Sequence, residues 1–286
     1  MRKRGYWFVF LAACLWGTNG TAQALAPEAA QPLIIGTLRI ALGGLTLMAI
    51  AALGRKLRDG QRWLFWPTLF GALSMAAYQL FFFAGVERTG VAVGTIVGIG
   101  STPILAGPIG YLVRGEKPSR RWMAATLLGV IGCTLLILVG ESIKLDLLGI
   151  FLAICAGGSY AVFATASKGL LEKHAPEAVM AVTFSLGALF VLPLLFGARL
   201  SWLAQPNGLL VILHLGVVTA ALAYILFAHG LQRVPVATAA TLTLAEPLTA
   251  GLLGFFFLRE PLTLPALLGI VLIFAGLVVL STEQSH

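Results

Sequence analysis

The sequence predicts an all-α polytopic membrane protein: ten transmembrane helices forming two inverted five-helix repeats around a central cavity. Three observations lead there. Of 286 residues, 59% are hydrophobic and 10% are charged, whereas a soluble domain carries about a quarter charged residues. So few charges cannot cover a water-facing surface, and lipid is the solvent. Charge-poor runs near the ~20 residues needed to cross a ~30 Å hydrocarbon core recur along the whole chain. Finally, the two halves match each other.

Span 1 is predicted over 5–27. The basic Arg2-Lys3-Arg4 before it and Ala24-Leu25-Ala26 near its end resemble a cleavable signal, but the apolar stretch is long for one, and the repeat needs this helix. Span 2, 32–53, contains Arg39. Spans 3 and 4, 63–86 and 89–113, are uncharged apart from the turn between them. Gly90, Gly94 and Gly98 recur at every fourth position of span 4, a spacing that allows close helix packing within the molecule. Spans 5 to 7 fall at 122–140, 147–167 and 178–198. The run 200–232 is too long for one crossing, and Pro206-Asn207-Gly208 cut it to span 8, 209–231. Span 9, 234–258, contains Glu246, and span 10 covers 261–282.

The connections are short. They leave no room for a nucleotide-binding domain, and no Gly-x-x-x-x-Gly-Lys-Ser/Thr loop occurs, so ATP-driven transport by this chain alone is excluded. The net charge of +8 does not indicate a nucleic-acid partner, because the basic residues occupy gaps between apolar runs. With the N-terminus inside, only Arg88, Lys144, Arg199 and Arg259 fall on the outer side and Arg39 inside a span; every other Lys and Arg is on the inner side. The positive-inside rule therefore puts both termini in the cytoplasm. Cys14, Cys133 and Cys155 lie within apolar runs without metal-ligand or CxxC spacing and read as small packing residues. No metal or cofactor is expected.

The halves, 1–141 and 142–286, align. Phe10-Leu11-Ala12-Ala13-Cys14 pairs with Phe151-Leu152-Ala153-Ile154-Cys155, and the register continues to pair Gly17 with Gly158 and Asn19 with Tyr160. Ala77-Tyr78 pairs with Ala223-Tyr224. Pro103, Gly107, Gly110, Glu116 and Gly132 pair at one constant offset with Pro247, Gly251, Gly254, Glu260 and Gly276. Five helices per half is odd, so the halves are inverted, the arrangement of many secondary transporters with a midplane site between the repeats.

Leu15-Trp16-Gly17-Thr18-Asn19, Arg39, Pro103 followed by Gly115-Glu116, and Ala245-Glu246-Pro247 followed by Arg259-Glu260 resemble the drug/metabolite transporter superfamily, EamA type. Within it the chain is most similar to YddG-like exporters of aromatic amino acids. The resemblance implies spans 1, 3, 4, 6, 8 and 9 around the cavity and 2, 5, 7 and 10 outside. It also implies export of amino acids or related metabolites by a multi-pass protein of the bacterial inner membrane. Its partners would be membrane lipid and a small-molecule substrate, and it would work as a monomer.

Pro103 and Pro247 remove a helix hydrogen bond each, freeing the carbonyls of Ile99 and Thr243. Such groups must face protein or a wet cavity, so both prolines are candidate kinks for gating; a static packing kink is the other reading. Glu246, the only carboxylate deep in a span, is a candidate proton carrier, an acceptor for a substrate ammonium, or a hydrogen bond locking two helices. Arg39 reads first as a polar anchor with a stem long enough to snorkel, and second as a substrate-carboxylate site. Trp16, Thr18, Asn19, Tyr78, Gln79, Phe82, Tyr160, Tyr224 and His229 fall on predicted cavity helices. Their rings suit flat or apolar side chains, and ordinary packing is the alternative for each. Three competing classes remain open. An intramembrane hydrolase would use Ser101 with His214 or His229, but the sequence lacks nucleophile and metal motifs. A passive channel would want a polar pore ring. A lipid flippase would need a cavity open sideways.

Overall fold

A computed structural model describes residues 2–58, 60–137, 146–257 and 263–282. All regular structure among them is helical. Arg259 and Glu260 of the second-half motif, and the 141/142 boundary between halves, lie outside the described residues.

The order is α1 (Arg2–Ala24), α2 (Pro32–Leu53), α3 (Phe65–Thr89), α4 (Val91–Arg114), α5 (Arg120–Ile137), α6 (Leu147–Leu170) and α7 (Pro176–Val191). Two 3₁₀ turns follow, and then span 8 is assembled from α8 (Pro206–Leu213), a π-helical stretch (His214–Leu222) and α9 (Ala223–Leu231). Span 9 is α10 (Val236–Leu242) plus α11 (Ala245–Phe257), and α12 (Leu264–Ser281) is span 10.

Nine of these spans are long and apolar enough to cross a bilayer. The tenth, α1, is more polar because three cations open it and Thr18-Asn19-Gly20-Thr21 follow its centre. Its 23 residues still reach about 34 Å at 1.5 Å per residue, and it runs between α9 and α11, with Thr18 and Asn19 partly buried. The outward faces of the bundle carry Leu45, Leu112, Phe256 and Phe274, all largely exposed, which is what a lipid solvent selects. Hydroxyls inside spans donate back to carbonyls four residues earlier, as Thr165 to Ala161 and Thr183 to Val179, both at 2.8 Å, so they leave no donor facing hydrocarbon.

Packing follows the duplication. α1 lies against α9 and α11, and its counterpart α6 lies against α3 and α4. The remaining spans pair with their own equivalents, α2 with α7 and α5 with α12. At the α5–α12 crossing a Cβ built on Gly269 would sit 2.5 Å from the Gly132 carbonyl oxygen, and one on Gly132 would sit 2.7 Å from that of Gly269. Only glycines allow backbones this close.

The prolines behave unequally. α4 continues through Pro103 and also through Pro108, whereas span 9 breaks at Thr243-Leu244. There Glu246 N donates to the Thr243 carbonyl at 2.8 Å. The carbonyl that Pro247 deprives of its usual partner therefore takes the amide one residue earlier, and the helix tightens and restarts.

Candidate functional site

Where the two halves meet, a cavity of about 40 Å³ is lined by Trp16 and Asn19 from α1, Arg39 from α2, Tyr78 from α3, Ile99 and Thr102 from α4, Tyr160 from α6 and Tyr224 from α9. Thr243 at the span 9 break and Glu246 of α11 complete it. Tyr78, Thr102, Tyr160 and Glu246 stand at or next to the midpoints of their spans, so the cavity lies at mid-bilayer depth. Much of the lining comes in equivalent pairs from the two halves: Asn19 with Tyr160, Tyr78 with Tyr224, Ile99 with Thr243, and Thr102 with Glu246. The charges break that symmetry, with Arg39 contributed by one half and Glu246 by the other.

The wall is aromatic and continuous. Trp16 lies 4.7 Å from Tyr224 between ring centroids and meets Tyr160 edge-on at 6.2 Å, and Tyr160 meets Tyr78 at 5.6 Å. Thr219 holds two of the lining groups. Its carbonyl accepts Trp16 Nε1–H at 2.9 Å, and its hydroxyl oxygen accepts from Arg39 Nε at 3.3 Å while donating to the Leu215 carbonyl. Thr219 belongs to the π-helical stretch, a conformation that recurs at functional sites. Asn19 Oδ1 is buried without a hydrogen-bond partner among the described residues.

Gly17 explains how α1 reaches the site. A Cβ there would lie 2.5 Å from Thr249 Cβ and 2.8 Å from the Glu246 carbonyl oxygen. The glycine between Trp16 and Thr18 thus sets α1 directly on the backbone that carries Glu246.

Four other sequence candidates sit away from the lining. Thr18 is not in the lining and bonds His214 Nε2 at 2.8 Å. Gln79, buried, points at α2, where a Cβ on Gly36 would meet its Nε2 at 2.7 Å. Phe82 stacks behind Tyr78 at 5.7 Å. His229, in the last turn of α9, lies 3.3 Å from Glu177 Oε1 at the cytoplasmic end predicted above. Gln79 is rotated about 100° from the lining Tyr78 and Phe82 lies one turn along the helix from it, differences that span assignment alone does not resolve. Pro103 and Pro247 are buried beside Thr102 and Glu246. Arg39 is bonded to Thr219 and lines the cavity from a helix that packs on the periphery. Ser101, the nucleophile of the hydrolase alternative, donates to the Gly98 carbonyl at 3.2 Å. Thr219 has no counterpart among the sequence candidates, because nothing local marks a threonine that anchors residues far away in the chain.

A cavity of this size has room for water, which needs about 10–15 Å³, while ligand pockets run to roughly 300–1,000 Å³. The helices must part to admit a solute.

A solved crystal structure 20% identical in sequence shares the fold with a TM-score of 0.85, over 97% of this chain and 98% of the other. The chain is 43% identical over 275 residues to the uncharacterized transporter YwfM of Bacillus subtilis, covering 96% of this chain and 92% of that protein. It is 29% identical to the threonine/homoserine exporter RhtA of Escherichia coli K12, over 96% and 92% of the two chains. The model of the EamA-like transporter family matches twice in succession, at residues 3–138 and 147–282. A multi-pass helical membrane protein built by duplication around a midplane cavity, this chain belongs to the EamA-like transporter family.

Proposed function

We propose that this protein exports neutral and aromatic amino acids and related small metabolites across the bacterial inner membrane, by alternating access of the central cavity. The observation that carries the reading is the cavity itself. It lies at mid-bilayer depth, is lined by equivalent positions of both halves, and is too small in this state for any solute. Two halves (1–141 and 142–286) with opposite orientation can exchange packings, which gives an inward-open and an outward-open state of similar energy. Similarity to a threonine/homoserine exporter supports amino acids as the class. The aromatic wall of Trp16, Tyr78, Tyr160 and Tyr224 suits flat side chains by stacking. Thr18, Gln79, Phe82 and His229 support that wall from behind or at its ends. Pro103 and Pro247 serve as the bending points, and both termini lie in the cytoplasm of a functional monomer.

Glu246 is the group through which a proton gradient would act, since a proton and a substrate cation cannot occupy one carboxylate together. The test is counterflow of labelled neutral amino acids into liposomes containing the purified protein, with and without an imposed pH gradient. Saturable amino-acid flux is expected. Flux driven by the gradient and lost in Glu246→Gln identifies antiport, and flux indifferent to it identifies facilitated export. Absence of flux for every amino acid would overturn the reading and turn the search to drugs, nucleosides and lipid-like metabolites.

A further inference from the structure

Arg39 and Glu246 face the same small cavity from different halves of the protein, and neither forms an ion pair with any described residue. That is a costly arrangement. Charged side chains at bilayer depth ordinarily pair with each other or with other polar groups, and these two already share a cavity. Arg39 spends only its Nε–H, on Thr219. A guanidinium has five N–H donors in a planar fork that fits a carboxylate in two-point fashion. Glu246, when ionised, presents acceptors only. Close by, Asn19 Oδ1, another acceptor, lines the cavity and is buried with no hydrogen-bond partner among the described residues.

We infer that the cavity binds its substrate as a zwitterion, the α-carboxylate on the free edge of Arg39 and the α-ammonium between Glu246 and Asn19 Oδ1. This rests on the amino-acid reading above and sharpens it: the head group is recognised at both charges, and the side chain is left to the aromatic wall. Direct pairing of the two charges would close the site to a zwitterion. The requirement for both charges also excludes the amines and organic acids that share an amino acid's side chain.

The test takes the neutral amino acid giving the strongest counterflow and adds its decarboxylated amine and its deaminated acid as competitors; for phenylalanine these are phenethylamine and 3-phenylpropionate. Each lost charge-assisted contact is expected to weaken competition about 10- to 100-fold. Arg39→Gln should raise KM for the amino acid and bring the amine level with it, and Glu246→Gln should do the same for the acid. Arg39→Lys, which keeps the charge and loses the fork, should fall between, and guards against a variant that fails to fold. Flux in the wild type with either single-charge analogue competing as well as the amino acid would overturn the clamp and leave the amino-acid reading standing. No flux or binding of any amino acid would overturn both.

Discussion

Glu116 Oε2 accepts the backbone N–H of Val236 at 2.7 Å, so the loop after α4 caps the start of α10 from the other half of the protein. The second oxygen of the same carboxylate takes Lys168 Nζ at 2.7 Å and Arg114 Nε at 3.3 Å. Lys168 in turn donates to the Val234 carbonyl at 2.6 Å, and Arg114 also pairs with Glu172. These contacts tie the ends of spans 4 and 6 to the start of span 9 on the predicted cytoplasmic side. Glu116, Lys168 and Arg114 are mostly buried, with 14–18% of their side-chain surface accessible. On the opposite side, Arg88 and Asp146 meet at 3.5 Å with 47% and 36% of their side chains accessible, a solvated contact of little energetic weight.

On the proposed export cycle the buried cluster is the stronger closure, and it opens for loading from the cytoplasm. Glu116→Gln leaves Lys168 short of its counter-charge and weakens the cap on α10. In a background lacking Cys14, Cys133 and Cys155, a Thr102→Cys reporter in the cavity should react faster with an impermeant maleimide from the cytoplasmic side once Glu116 is neutralised. An unchanged labelling rate would show that the cluster does not hold the inner side closed.

Gly17→Ala should damage the site more than its size suggests. The added methyl meets Thr249 Cβ and the Glu246 carbonyl, and overpacking of this kind costs about 1–3 kcal/mol. Lower thermal stability together with a raised KM is expected from melting curves and counterflow. Wild-type values for both would mean that α1 can shift freely on α11.

Gly269→Ala provides the contrast. It pushes α12 off α5 at a crossing that contributes no residue to the cavity lining. The expected result is a lower melting temperature with KM unchanged; a selective change in KM would place spans 5 and 10 in the binding machinery.

Trp16→Phe keeps a ring against Tyr160 and Tyr224 but loses the bond to the Thr219 carbonyl. A single neutral hydrogen bond is worth about 0.5–1.5 kcal/mol, so a KM rise of up to about tenfold is expected. Trp16→Ala removes the wall as well, and truncating a buried Trp costs about 3–5 kcal/mol. Equal transport by the two variants would detach the aromatic wall from binding.

What the sequence determined is the part governed by solvent and by repetition. Composition set lipid as the surroundings. The apolar runs placed the spans, including the cut at Pro206-Asn207-Gly208. The constant offset from Pro103 to Pro247 exposed the duplication. Trp16, Asn19, Tyr78, Tyr160, Tyr224, Arg39 and Glu246 were all legible as candidates, because polar or aromatic groups inside an apolar helix stand out. The tertiary structure decided which faces converge. Thr18, Gln79 and Phe82 share helices with lining residues, yet rotation about the axis, or for Phe82 displacement by one turn along it, takes them off the cavity, and neither is set by local sequence. The π-helical stretch around Thr219 and the meeting of Arg39 with Glu246 across one cavity arise the same way. Each joins residues far apart in the chain through packing, and no local pattern of residues records such a distance.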